Sequence, residues 1–509
     1  MYPRDYVEHT PDKAAFIIAS TGEEVSYLQL EQRANRGAHL FRALGLKAGD
    51  HIAIFMENNR HFMEIVWGAQ RAGLIYSAIS THLKRDEVLY IVDNCEAKVL
   101  ITSPKLSVIA REVASGISSV DHFYMVENAL EGFVSWDEAC AGQPDQPIID
   151  EEGGVPMLYS SGTTGMPKGV LSAKPNNLPL DALSPQIQGL MLLFGFDADT
   201  IYLSPAPLYH AAPLANNLFT MYAGGTSIIM DAFDAEGSLA LIERYRVTLS
   251  QWVPIMFTRM LKLPAEVRDR YDISSMKTAF HGAAPCPVEV KQQMIDWWGP
   301  IILEYYSATE SHGVTFINSE QWLEHRGSVG LPMACEVHIL DDNQQEVPTG
   351  ELGEIYFSKK GPRFEYYKED GKTSGAYNDK GYASVGDMGY VDEDGFLYLT
   401  DRRNFMIITG GVNVYPQEVE NLLITHPEVA DAAVFGIPSE QFGEEVKAVV
   451  QAADPDIDIE ALASRLGSFC RERLSTVKCP RSYDFMAELP RLDNGKLYKR
   501  HLQDQYRNK

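Results

Sequence analysis

Six cysteines in 509 residues stand apart as Cys95, Cys140, Cys286, Cys335, Cys470 and Cys479. No two have CxxC spacing, so neither a zinc site nor a disulfide framework is written in the chain, and reduced, buried thiols are the expectation. No apolar run approaches ~18 residues, so the sequence offers no membrane-spanning helix. Positive charge is scarce: 44 Lys and Arg against 70 Asp and Glu give a formal net charge of −26. A field of that sign works against non-specific binding to nucleic acid or an anionic membrane. The start, MYPRDYVEHTPDK, lacks the basic-then-apolar pattern of a secretory signal, and a cytoplasmic protein is expected. Internal repeats and low-complexity tracts are lacking too. The positive charge that is present gathers near the end, at Arg491, Lys496, Lys499, Arg500, Arg507 and Lys509, as a solvated helix end or an anion-facing surface.

The length implies more than one core. Through the first 105 residues short apolar strands (HIAIFM, LIYSAIS, AKVLITS) alternate with segments of helical period (27–46, 61–73). That alternation predicts an α/β fold with largely parallel sheets covered by helices. After about residue 330 strands are joined by Asp-Gly, Asp-Asn and Thr-Gly turns, the pattern of hairpins in a small β-rich subdomain. From 416 onward the order is helix, strand, strand, helix, a small α+β unit. The expected division is 1–401, comprising α/β layers over 1–330 and the β-rich part over 331–401, followed by 402–509.

The run SSGTTGMPKG at 160–169 holds three glycines, four hydroxyl side chains and one lysine behind the apolar VPMLY. It is not the Walker loop, in which the lysine follows a glycine at a helix start. Met166 and Pro167 separate Gly165 from Lys168, and Pro167 biases Met166 away from helix. A strand ending in a turn remains, whose N–H groups and hydroxyls could wrap a polyphosphate with one cation in reach. A lone GTTG would be read as an ordinary turn.

The longer string YSSGTTGMPKGV resembles the signature loop of the adenylate-forming enzymes, which include acyl-CoA synthetases, peptide-synthetase adenylation domains and beetle luciferases. Five further elements follow in order: HGAAP (281–285), EYYSATE (304–310), SVGDMGY (384–390), DRRNFMIITGGVNVYPQEVE (401–420) and PRLDNGKLYKR (490–500). The resemblance covers essentially the whole chain and implies a large N-terminal domain and a small, mobile C-terminal domain. By resemblance Ser160, Ser161, Gly162, Thr163, Thr164, Gly165 and Lys168 clamp the β- and γ-phosphates of ATP. Gly282, Ala283 and Ala284 lie on one face of adenine, and Tyr306, with Ser307 in a position usually glycine, lies on the other. Thr309 touches the α-phosphate, and Glu310, with Thr163, holds Mg²⁺. Asp387 and Arg402 take the ribose. Asn404 occupies the hinge, where relatives more often have Asp or Lys, and Phe405 replaces a common Asp. Lys496 is the adenylation lysine, and Thr409, Gly410 and Gly411 line the CoA tunnel.

The implied activity is an AMP-forming acid:CoA ligase using ATP, Mg²⁺ and CoA. A carboxylate attacks the α-phosphate, pyrophosphate leaves, and CoA thiolate then takes the acyl group from AMP. Catalysis of the first step is positioning plus charge stabilisation. In PLYHAAP (207–213), His210 resembles the residue gating carboxylate and thiol access; a core histidine is the competing reading. No acid follows His210 in AAPLANNLFTMYAGG, which argues against an amino-acid substrate, because a buried ammonium without a partner is costly. Apolar segments around Trp252 and Tyr305 suit a hydrophobic acyl group. The wording of several motifs is similar to ligases of fatty, aryl and steroid side-chain acids. The alternatives are an acyl-AMP ligase loading a carrier protein, a kinase-like phosphotransferase, and a silent nucleotide-binding scaffold. Homodimers are common in the family.

Overall fold

Parallel strands joined by crossover helices are buried on both faces and so read as unbroken apolar runs. The strand His51–Phe55 is buried along its whole length, as is Val99–Thr102. The computed structural model describes residues 2–160, 167–171, 179–181, 183–361, 363–491 and 497–507. The chain forms two compact units, Met1–Gln251 with Asp269–Ala279 and Gly361–Ser374, and Trp252–Arg268 with Phe280–Lys360 and Gly375–Lys509.

In the first unit, one sheet runs Glu365–Tyr366, Lys168–Leu171, Val155–Ser160, Ile75–Ala78, His51–Phe55, Val99–Thr102, His122–Met125 and Val134–Ser135. Its first two pairings are antiparallel and the rest parallel. A second sheet places Glu24–Ser26, Ala14–Ile18, Thr226–Ile229 and Ile201–Ser204 side by side, followed by residues 249–250. The helix Tyr27–Ala43 starts at a Ser26 capping box with Gln29, and Arg60–Arg71 starts at an Asn59 cap. The two helices meet through glycine: a Cβ on Gly68 would sit 3.2 Å from the Ala34 carbonyl oxygen. Fully buried Arg71 is neutralised there by Glu31 at 2.8 Å.

In the second unit, antiparallel neighbours run Ile302–Ser307, Val314–Ile317, Ser328–Pro332, Leu397–Arg402, Asp387–Val391, Gly353–Ser358 and Glu336–Leu340. The expected Asp-Gly turn is present: the Gly395 N–H donates to Asp392 O, with Gly395 at φ +85°. From residue 416 the order is helix Pro416–Ile424, strands Val429–Ser439 and Gly443–Ala452, then helix Ile459–Arg473, as the pattern predicts. Val419, Leu423, Val434, Val446, Leu462 and Leu466 form the centre of that core.

Among the described residues no helix is long and apolar enough to cross a membrane. All six thiols are free, but only Cys95, Cys470 and Cys479 are buried; Cys140, Cys286 and Cys335 are half-buried, which corrects the expectation of six buried thiols. Burial pushes the Cys95 thiol up to about 12, so it is not a poised nucleophile.

Candidate active site

The hairpin Ile302–Ser307/Val314–Ile317 presents Thr309, Glu310 and His312 in its turn. Ser307 Oγ donates to the Gly313 carbonyl at 2.8 Å and closes that turn. A Cβ on Gly313 would lie 2.2 Å from the Phe357 ring, so no other residue fits. Glu310 and His312 are both buried. Burial drives His312 down to about 4, against the opposing pull of Glu310 and Asp387, and its ring meets Phe357 edge-on at 5.1 Å.

Asp387 starts one strand and Arg402 ends the next, and the two are direct register partners. The Asp387 carboxylate is therefore fixed from two sides. Tyr306 Oη donates to Oδ2 at 2.6 Å, and Arg402 Nε donates to Oδ1 at 3.0 Å. Burial, and then the neighbouring Asp387, raises the Tyr306 phenol well above its usual range. Burial opposes charge on Arg402, but Asp387, Tyr306 and Glu310 outweigh it and keep the guanidinium charged. The SVG turn before Asp387 is held by Ser384, which donates to Glu354 at 2.7 Å and accepts from the Gly386 N–H at 3.0 Å.

Residues 282–284 run close against Tyr305. A Cβ on Gly282 would lie 2.8 Å from the Tyr305 carbonyl oxygen, and Ala283 is held at φ +70°. A non-glycine residue in that region is uncommon and marks a segment fixed by its surroundings. Beneath it lies a buried pair, Lys291 Nζ to Glu304 at 2.6 Å, with His281 Nε2 3.6 Å from the same carboxylate. Burial, with Lys291 adding to it, pushes His281 well below its ordinary value and keeps it neutral. Trp252 is 1% exposed and packs edge-on to Trp298 at 5.7 Å, while Tyr305 is half-buried beside Phe280.

In the first unit, Lys168 opens a strand rather than a helix, with Ser160 as its register partner. Ser161, Gly162, Thr163, Thr164 and Gly165, and the Ser160 side chain, lie outside the described residues. The Lys168 ammonium sits 4.6 Å above the Tyr366 ring. His210 is the N-cap residue of helix Ala211–Ala223, and its ring lies 4.6 Å from that of Tyr209. The loop before it is fastened by buried Asn58, which donates to Ala206 O at 3.3 Å and Met230 O at 2.7 Å and accepts from the Leu208 N–H at 2.8 Å.

After Arg402, Arg403 pairs with Glu354 at 2.9 Å and Asp342 at 2.5 Å, and Asn404 is exposed. Thr409 ends the strand Ile407–Thr409, and Gly410 and Gly411 turn the hairpin into Val412–Val414. Lys496 lies outside the described residues. The segments flanking it are anchored: Arg491 pairs with buried Asp431, and Lys499 Nζ lies 2.8 Å from buried Glu420 and 5.2 Å from the Phe405 ring.

The motifs assign no role to Tyr366, His312, Asn58, Glu420 or Asp431, and Lys499, expected on a solvated helix end or an anion-facing surface, is instead buried against Glu420. Two of them carried a signal, because Asp431 interrupts the apolar strand EVADAAVFGIP and Glu420 falls beside Val419 and Leu423 on a buried helix face.

Glu310 lies within electrostatic reach of Tyr306, Arg402 and His312. Among the described residues no three His, Cys, Asp or Glu side chains converge to hold an ion. One buried carboxylate fits a Mg²⁺ that takes its other ligands from nucleotide phosphates and water.

A half-buried aromatic, a shared carboxylate and an arginine brought together from three strands are features of an enzyme handling a nucleotide. The chain belongs to the AMP-binding enzymes: that family's model matches residues 4–367, and the model of the AMP-binding enzyme C-terminal domain matches residues 418–496. It is 31% identical over 499 residues to the 2-succinylbenzoate–CoA ligase of Bacillus licheniformis, covering 97% of each chain. It is 30% identical over 511 residues to the long-chain-fatty-acid–CoA ligase FadD13 of Mycobacterium tuberculosis, covering 98% of this chain and 96% of that one. The o-succinylbenzoate CoA synthetase of Bacillus subtilis, solved with its acyl-adenylate intermediate, superposes with a TM-score of 0.81 at 25% identity, covering 99% of this chain and 97% of that one.

Proposed function

We propose that the chain is an ATP-dependent, AMP-forming carboxylic acid:CoA ligase. The observation that carries this reading is the Asp387 carboxylate, fixed by Tyr306 at 2.6 Å and Arg402 at 3.0 Å. A carboxylate has about four acceptor sites. Two are occupied, and the remaining two suit the paired hydroxyls of a ribose. Adenine would lie between Tyr306 and the backbone of Gly282, Ala283 and Ala284, with Ser307 at its edge. The 160–165 loop and Lys168 would hold the polyphosphate. Thr309 would contact the α-phosphate, and Mg²⁺ held at Glu310 with Thr163 would neutralise phosphate charge.

In the first step a carboxylate oxygen bonds to the α-phosphorus and the bond to pyrophosphate breaks. Lys496 would stabilise the charge that gathers on the phosphoryl oxygens. In the second step the CoA thiolate bonds to the acyl carbon and AMP departs. Exchange between the steps calls for rotation of 402–509 against 1–401 about Asn404. The anchoring of Arg403 on Glu354 and Asp342 and the exposure of Asn404 support a pivot there. His210 would gate acid and thiol, and Thr409–Gly411 would approach pantetheine.

The acid is read as hydrophobic, aryl or medium-to-long acyl. The absence of an acid in 211–225 and the names of the two relatives support this. The test is nucleotide analysis after incubation with ATP, Mg²⁺ and a panel of acids, with and without CoA. AMP rising with one acid plus CoA is expected. AMP indifferent to CoA would move the acceptor to a carrier protein, and ADP would overturn the mechanism.

A further inference from the structure

Lys168 and Tyr366 meet because the strand register puts them on one face. Tyr366 lies directly opposite Val170 in the antiparallel pair, and Lys168 is two residues before Val170, so it shares that face on the diagonal. The Lys168 ammonium stands 4.6 Å from the ring centroid, within cation–π range. The ring is a fixed platform. Tyr366 is 6% exposed, Phe364 packs against it edge-on at 5.3 Å, and its N–H donates to Thr373 Oγ1 at 3.0 Å. The next residues tie the segment down, since Tyr367 Oη donates to Glu96 at 2.8 Å and Lys368 pairs with the same carboxylate at 3.0 Å. Among the described residues no carboxylate partners Lys168, so a ring and not an anion holds its charge.

We propose that Tyr366 is a positioning residue for Lys168, holding the ammonium beside the Ser160 end of the hairpin so that it meets the triphosphate of ATP with little side-chain entropy left to lose. The proposal rests on the nucleotide reading given above. A free lysine surrenders much of its rotamer freedom on binding an anion, and one already held over a ring surrenders less.

The test is calorimetric titration of ATP into the full chain carrying Tyr366→Leu, Tyr366→Phe, Lys168→Met, or the pair Y366L/K168M. Tyr366→Leu is expected to weaken ATP binding by about tenfold, and Tyr366→Phe, which keeps the ring, by no more than about twofold. In the Lys168→Met background, Tyr366→Leu should add nothing, because a pairwise contact vanishes once either partner is gone. Pentafluorophenylalanine at 366 keeps the ring's shape while emptying its face of charge, and it should weaken binding as leucine does even if the leucine variant folds poorly. Equal affinity of wild type and the fluorinated variant would overturn the proposal, as would a Tyr366→Leu loss that persists undiminished without Lys168. Failure of the wild type to bind ATP would instead overturn the nucleotide reading, and this inference with it.

Discussion

Replacing Asp387 by Asn tests the nucleotide reading where the geometry is tightest. The side chain keeps its shape, but one acceptor oxygen becomes an NH₂ donor. Both groups now facing the carboxylate, Tyr306 O–H and Arg402 N–H, are donors. An NH₂ turned toward Arg402 confronts another donor, one turned toward Tyr306 makes the phenol oxygen accept instead of donate, and either way the ribose loses a charged acceptor. A hydrogen bond to a charged group contributes roughly 1.5–3 kcal/mol, so the KM for ATP should rise roughly 10–150-fold. The ribose lies away from the reacting atoms and is held equally in ground and transition states, so kcat should change little. The Asp387 and Arg402 side chains are 14% and 35% exposed, and solvent screening limits the stability loss to about 1 kcal/mol. The assay is ATP-dependent pyrophosphate release at saturating acid, with a thermal melt as the control for folding. An unchanged KM for ATP in a folded variant, or a fall in kcat alone, would refute the assignment of Asp387 to the ribose.

Lys499→Met leaves buried Glu420 unpaired and should cost roughly 3–5 kcal/mol in urea unfolding, most of it recovered in K499M/E420Q; a single variant as stable as wild type would contradict the pairing. His312 is neutral in the fold, with a value of about 4 against 6.5 for the free side chain, and faces Glu310, Asp387 and Lys359. Its contribution to stability is therefore present above pH 6.5 and is lost as pH falls toward 4, by at most about 3 kcal/mol. His312→Gln should flatten that stretch of the stability–pH curve, and an unaltered slope would count against it. Asn58→Ala removes three hydrogen bonds that fasten the loop before His210. It should cost roughly 1–3 kcal/mol and raise the KM for the acid more than that for ATP; the reverse order would detach His210 from the acid.

The residues that sequence motifs singled out in the second unit sit at strand ends and in turns. Such positions need particular residue types, which is why they can be read without a structure. Tyr306, Asp387 and Arg402 come from three strands, and the register Asp387↔Arg402 brings two of them into line. The parallel sheets were legible because double-sided burial writes an unbroken apolar run, as in HIAIF. Tyr366 was not legible, since nothing local to GPRFEYYKED says which strand it will border. Lys499 and Glu420 escaped for a related reason: each reads as an ordinary charged residue on a helix, and only the fold reveals that both are buried. Burial likewise separates the thiols, because Cys140, Cys286 and Cys335 look no different in sequence from the three that are buried.

Gly410 and Gly411 show how a motif residue can have two explanations. The sequence reading takes them as room for pantetheine. In the structure Thr409 pairs with Val412, so the two glycines are the whole connection of a two-residue hairpin, at φ +57° and +81°. That turn demands positive φ at both central positions. Space is not the constraint: a Cβ on Gly411 would meet nothing within 4 Å, and one on Gly410 only a Phe442 ring carbon at 3.5 Å. Alanine at either would therefore cost about 1–2 kcal/mol in the turn whether or not CoA binds nearby. A glycine variant cannot test the CoA assignment, but the flanking side chains can. Ile408 is 50% exposed and Val412 is 44% exposed, an unusual outlay of apolar surface on so short a hairpin. If this hairpin meets pantetheine, Ile408→Ser with Val412→Ser should leave acid-dependent pyrophosphate release intact and slow thioester formation, with acyl-AMP accumulating. Equal slowing of both steps, or of neither, would remove the hairpin from the CoA path.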